Sequence, residues 1–267
     1  MKPLRRGLRI APRNNVRNVV AIVVAVLVTL CSACGSQATP AVRVGTLSDS
    51  RPNAYLENGR FTGFDNELLR AAAAKEGLTL EFTATDFSPL LRQVAEGRFD
   101  VGSAAISQTE DRKKTLDFSN AYNYQALGVV APAGTISDDK SLAGKRIGVV
   151  GSTISDTWLV ANQPTAQVIR FPNDAAVLDA LSGRRLDGAL FDQANAEHYA
   201  ADDPALAATK IVDAVIPQGY AVPKGNGAVL TKLNRGLRQV IADGTWVRLH
   251  QQFEPNGVVP QEFQGHP

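Results

Sequence analysis

The stretch Gly63–Phe82, "GFDNELLRAAAAKEGLTLEF", reads as turn, helix and strand within twenty residues. Leu68, Leu69, Ala72 and Ala73 set an apolar stripe at helical spacing. Gly77 stands where a C-cap glycine belongs, and Asp65 is placed to cap the helix N-terminus. "LTLEFTA" (78–84) then alternates as a strand, and "VRVGTL" (42–47) supplies a strand upstream. "SPLLRQVAEG" (88–97) reads as a second helix, with Ser88 as its cap, Pro89 at its first position and Gly97 at its end. "FDVGSAAI" (99–106) is the next strand. Repeated β-α-β units predict an α/β fold whose parallel sheets carry ligands at their strand C-termini.

The pattern restarts further along. "SLAGKRIGVV" is loop then strand, "ISDTWLVAN" and "DAAVLDALSG" are helices, and "LDGALF" is a strand. "EGRFDVGSAAIS" (96–107) and "SGRRLDGALFD" (182–192) each end a helix on Gly-Arg, turn through an aspartate and enter a strand of small residues. Asp100 and Asp187 occupy matching places in this weak internal echo, which predicts two lobes built alike. "GYAVPKG" is a late strand, and the tail from Leu230 to Phe253 forms one or two amphipathic helices.

The chain of 267 residues is long enough for two lobes with separate cores. Its formal charge of +2 conceals an uneven distribution. Residues 1–33 hold six basic and no acidic residues, and without them 22 basic residues face 26 acidic ones, a net of −4. No basic patch argues for nucleic acid. The basic start precedes "VVAIVVAVLVTL" (19–30), too short for a comfortable membrane span and right for the core of an export signal. "LCSACGS" follows and resembles the lipobox of bacterial lipoproteins, in which cleavage before a cysteine exposes the residue that is lipidated. That resemblance implies a signal peptide at 1–33, a lipid on Cys34 and a tether at 34–40; it departs at Cys31, where leucine is usual. Cys31 and Cys34 are the only cysteines, so no disulfide is expected after processing.

"ISQTEDRKKTLDFS" (106–119) passes from a buried-looking strand straight into dense charge. Together with "GRFTGFDNELLRAAA", "GKRIGVVGST", "LDGALFD" and "ADGTW", in that order and spacing, it resembles the bacterial extracellular solute-binding proteins of family 3, the polar amino acid receptors of ABC importers. Asn66 departs from the family's aliphatic residue. The resemblance implies a two-lobed, type II periplasmic-binding-protein-like fold with two crossing hinge strands. Residues 41–124 and 218–267 would form lobe 1, and 125–217 lobe 2. It also implies a monomer outside the cytoplasm, with an ABC permease as partner and no cofactor.

A free amino acid is a zwitterion, so its receptor needs a cation for the carboxylate and an anion for the ammonium. By resemblance, Arg112 forks onto the carboxylate, a task that suits a planar guanidinium. Ser107 and the backbone of Ala105 would face the same end. Ser152 and Thr153 would open a helix whose N–H groups add to carboxylate binding, or would serve simply as caps. Asp192 would take the ammonium, though it also stands where a plain helix cap would. Phe87 matches an aromatic wall. The family's other aromatic position falls on Ser50, leaving Tyr55 or Arg51 to fill the space, with Arg51 favouring an acidic side chain and Asp49 a basic one. His198, His250 and His266 lie too far apart for metal-type spacing. Two other readings stay open: a cleft enzyme resembling cyclohexadienyl dehydratase, for which Glu110 or Asp111 would have to act as an acid, and a sensing subunit with a separate signalling partner.

Overall fold

The computed structural model describes residues 40–265, so the expected signal, Cys34 and nearly all of the tether lie outside the described residues. Two five-stranded sheets organise the chain. The first uses β1 (Val42–Thr46), β5 (Leu80–Ala84), β6 (Val101–Ser103), β7 (Leu116–Phe118) and β13 (Ala221–Pro223), in the order β5-β1-β6-β13-β7. The second uses β8 (Asn123–Pro132), β9 (Arg146–Val150), β10 (Gln167–Phe171), β11 (Gly188–Asp192) and β12 (Leu206–Gln218), in the order β10-β9-β11-β8-β12. Each sheet has three parallel strands at one side and an antiparallel strand in fourth place. Ligand-carrying strand ends are therefore set up twice, once per lobe. A small antiparallel sheet of β2 (Asp49–Ser50), β3 (Ala54–Glu57) and β4 (Arg60–Thr62) follows β1.

The internal echo has a physical basis. Arg43 donates its backbone N–H to Asp100 Oδ2 at 2.9 Å and Nη2 to Oδ1 at 2.8 Å, while Nη2 also reaches Gly97 O at 2.9 Å. In the other lobe Arg146 donates its N–H to Asp187 Oδ2 at 2.8 Å and Nη2 to Oδ1 at 2.8 Å, with Nη2 also on Arg184 O at 3.2 Å. The same clamp thus ties the first parallel strand of each sheet in chain order, β1 or β9, to the turn entering the third, β6 or β11. The guanidiniums hold both carboxyls below the usual range, Asp187 at about 2.

Helix α1 (Phe64–Lys75) begins at Gly63 and ends before Gly77, whose φ of +64° suits the left-handed position after a helix. Its apolar stripe lies in the first core with Phe64, Tyr122, Tyr220 and Trp246. Asp65 is not the cap; it is the second helical residue, buried inside the lobe. Helix α2 (Phe87–Ala95) starts two residues earlier than its sequence suggests, with Asp86 at the cap position and Ser88 and Pro89 inside the first turn. A four-residue helix α3 (Glu110–Lys113) occupies the charged stretch after β6. The second sheet carries α4 (Ile154–Asn162), α5 (Asp174–Ser182) and α6 (Gln193–Asp202).

The tail folds as α7 (Gly227–Ala242) and α8 (Thr245–Phe253), which join the core around α1 rather than the second sheet. Gly236 lets α7 touch α1, since a Cβ there would stand 2.1 Å from Ala72 O. Trp246 is fully buried and donates Nε1–H to Tyr122 O at 2.7 Å. The chain crosses between lobes twice, entering the second sheet through β8 and leaving it through β12, which pair antiparallel with bulges near Lys210 and Val212.

Candidate functional site

The two lobes meet through hydrogen bonds that span the seam. Asn195 on α6 donates Nδ2–H to Ser50 Oγ (2.9 Å) and Arg51 O (2.7 Å) and accepts from Asn53 Nδ2 (2.9 Å). Tyr199 Oη lies 3.2 Å from Asp49 O and 2.6 Å from Asp174 Oδ2. Ser152 Oγ faces Ser88 Oγ at 3.3 Å. Between the lobes a cavity, open to solvent, is lined by residues of both, among them Leu47, Ser50, Phe87, Ser107, Arg112, Thr153, Asp174, Asp192 and Asn195.

Arg112 reaches this cavity because α3 turns it back from the charged surface. Thr109 caps α3, accepting the Arg112 N–H at 3.2 Å, and the side chain runs inward. Nη1 donates to Ser107 O at 2.9 Å, Nη2 to Ser152 O at 2.9 Å, and the guanidinium carbon lies 5.1 Å from the centre of the Phe87 ring. The arginine therefore rests on an aromatic face and ties one lobe to the other. Burial pulls its pKa down to about 10, while the charge of Asp192 works to keep it protonated. Five N–H donors serve two carbonyls here, so the fork retains donors for an anion. Glu110 and Asp111 stay outside, paired with Lys113 at 2.9 Å and Lys114 at 2.6 Å.

Asp192 ends β11 and occupies the cap position of α6, but its side chain makes no cap hydrogen bond. Its Oδ2 accepts from Gln218 Nε2 at 3.2 Å, and the same nitrogen reaches Ala105 O at 3.2 Å. Gln218, which sequence reasoning missed, is buried at the end of β12 and links the two strand ends across the cleft. Ala105 lies in the left-handed region, φ +47°. Its N–H donates to Asp65 Oδ2, so both of its backbone groups have partners within the protein. Burial pushes the Asp65 carboxyl up to about 7 against the pull of that N–H.

The start of α4 follows the capping alternative at Thr153. Thr153 is the cap: its Oγ1 accepts from Asp156 N at 3.3 Å and donates to Val150 O at 2.7 Å. Ser152, at φ +68°, donates its N–H to Asp156 Oδ2 at 3.1 Å and does not line the cavity. Ile154 and Ser155 do line it, and as the first two helical residues their N–H groups have no partner within the helix. Ser107 is fully covered, lines the cavity and lends its carbonyl to Arg112. Phe87 forms a wall, while Ser50 lies where an aromatic was sought. Tyr55 and Arg51 do not line the cavity. Arg51 stacks on Tyr55 at 3.9 Å and pairs with Glu57 at 3.1 Å.

Comparison with known proteins places this geometry in context. The family described as bacterial extracellular solute-binding proteins, family 3, matches residues 42–256. The chain is 26% identical over 230 residues to the ABC transporter arginine-binding protein 1 of Escherichia coli (strain K12), across 83% of this chain and 93% of that protein. A solved ancestral arginine-binding protein bound to arginine is similar with a TM-score of 0.76 and 31% identity, across 81% of this chain and 99% of that one. The ancestral amino acid-binding protein AncCDT-1, described as a precursor of cyclohexadienyl dehydratase, is similar with a TM-score of 0.74 and 28% identity, across 80% and 95% of the two chains.

Proposed function

Because the chain belongs to the bacterial extracellular solute-binding proteins of family 3, we propose that it is the receptor of an ABC importer and takes a polar amino acid in its cleft. One observation carries the reading: Arg112 from one lobe and Asp192 from the other line a single cavity. The guanidinium is suited to the α-carboxylate and Asp192 to the α-ammonium. Ile154 and Ser155, at the start of α4, add backbone donors at a positive helix end. Ser107 and Ala105 act through their backbones, Ser107 by bracing Arg112. Thr153 and Ser152 shape the turn that presents α4, and Phe87 supports both the arginine and the ligand stem. Ligand contacts from both lobes would favour the shut form.

Binding stands ahead of turnover. The acids that the dehydratase-like reading would call on, Glu110 and Asp111, are exposed and paired with lysines outside the cavity. We further propose that the protein acts as a monomer, tethered outside the cytoplasm by a lipid on Cys34. The basic start, the short apolar run and "LCSACG" support that anchor. A thermal-shift screen against the twenty amino acids tests the receptor reading, with stabilisation by at least one expected. A flat screen, or turnover of a prephenate-like acid, would count against it. Mass spectrometry of the cell-extracted protein should show an acylated Cys34; an unmodified thiol would remove the anchor.

A further inference from the structure

We propose that the end of the cavity lined by Asp174 receives a positively charged side chain, and that Asp174 selects it. This rests on the reading of the cleft as an amino acid site.

Asp174 is the first residue of α5, is 7% exposed and lines the cavity. Its Oδ2 accepts from the Tyr199 hydroxyl at 2.6 Å. Two more carboxylates, both from the other lobe, reach the start of the same helix. Asp49 Oδ2 accepts from Ala175 N–H at 2.9 Å, and Asp86 Oδ1 accepts from Asn173 Nδ2 at 3.0 Å. The bonding partners at this end are thus neutral. The charges acting on these groups are other carboxylates: Asp49 on Asp174, and Asp86 on Asp49. Burial leads both carboxyls upward, Asp174 to about 7.

The arginines that could neutralise this corner are engaged elsewhere. Arg51, two residues after Asp49, turns to Glu57 and the Tyr55 ring. Arg112 is held by Ser107 O and Ser152 O and answers the charge of Asp192. A buried carboxylate without a counter-charge is unfavourable, and the remedy is a cation or a proton. A ligand cation entering the cavity would supply the first. The same cavity suits the rest of such a molecule: Leu47 and Phe87 line it and offer apolar surface for an aliphatic stem. Carboxylate, ammonium, stem and distal cation together describe a basic amino acid. An acidic side chain would meet like charge, and a neutral amide would leave Asp174 without a partner of opposite sign.

Calorimetric titration of the purified protein with L-arginine, L-lysine, L-citrulline, L-glutamine and L-glutamate tests this. Citrulline has nearly the shape of arginine and no charge. The wild-type protein is expected to bind arginine or lysine at least about thirtyfold more tightly than citrulline or glutamine, the lower bound for truncating one partner of a buried charge pair. Asp174→Asn should bring the arginine-to-citrulline ratio to within about threefold. The ratio in the wild-type protein stands by itself if that variant does not fold. Preference for glutamine, citrulline or glutamate in the wild-type protein would overturn the assignment to Asp174 and leave the amino acid reading in place. An unchanged ratio in Asp174→Asn would do the same. Binding of no amino acid at all would remove the reading on which the proposal rests.

Discussion

Replacing Arg112 with alanine should cost the protein most of its ligand affinity. Two contributions add. The first is the clamp on the ligand carboxylate: removing one partner of a buried, hydrogen-bonded charge pair costs about 2–5 kcal/mol. The second is closure. Nη2 donates across the seam to Ser152 O at 2.9 Å, a bond that exists only while the lobes are shut. Its net worth, as a charge-assisted bond that is partly exposed, is about 1 kcal/mol. The expected loss is therefore about 3–6 kcal/mol, or roughly 150- to 25,000-fold in Kd. Arg112→Lys keeps a charge and loses the fork, so it should fall between the two proteins. The unliganded variants should unfold within about 1 kcal/mol of wild type, because burying this cation is itself unfavourable. Isothermal titration with the best-binding amino acid measures the first quantity and urea denaturation the second. An alanine variant within threefold of wild-type affinity would refute the clamp.

Other consequences follow from single features. Burial raises Asp65, Asp174 and Glu254 to about 7, above their unfolded values, so their protonation stabilises the unliganded fold at low pH and that contribution is lost as pH rises through 7. Asp187 and Asp243 sit near 2, so their contribution is present above pH 4 and is lost as pH falls toward 2. Urea midpoints should accordingly peak near pH 4–5 and decline toward pH 8, and a steady rise across that window would contradict the assignment. Gly236→Ala drives a methyl into Ala72 O and should destabilise by about 1–3 kcal/mol in the same assay. Asn195→Ala removes three seam hydrogen bonds and should weaken ligand binding by about 1–3 kcal/mol with little change in unliganded stability, read by titration and denaturation together.

Much of this architecture was legible because periodicity and glycine placement are local signals. The stripe from Leu68 to Ala73 and the helix-ending Gly77 required no knowledge of the tertiary fold. The Gly-Arg–Asp echo was also visible, although its reason, an arginine on the first parallel strand of each sheet clamping the aspartate, depends on pairing residues 57 and 41 apart. Helix starts were read less well. Asp65 and Ser88 have cap chemistry, but Asp65 was drawn into the core by the Ala105 N–H, and α2 had already begun at Phe87. The site shows the same division. Arg112 and Asp192 stood out through their motifs, and both line the cavity. Gln218, Asn195 and Asp174 carry no local signal. Gln218 ends a strand, Asn195 sits in a polar helix, and Asp174 looks like an ordinary acid in the first turn after Asn173. They gain meaning only when the lobes meet.

The central claim is that both ends of an amino acid zwitterion are held, one by each lobe. Titrating the protein with its preferred amino acid, the methyl ester of that amino acid and its N-acetyl derivative tests this directly. The ester removes the charge that Arg112 would hold, and acetylation removes the one Asp192 would hold. Each derivative is expected to bind at least about thirtyfold more weakly, in line with about 2 kcal/mol or more for each broken charge pair. An ester that binds as well as the free acid would contradict the role given to Arg112, and an N-acetyl form that binds as well would contradict the role given to Asp192.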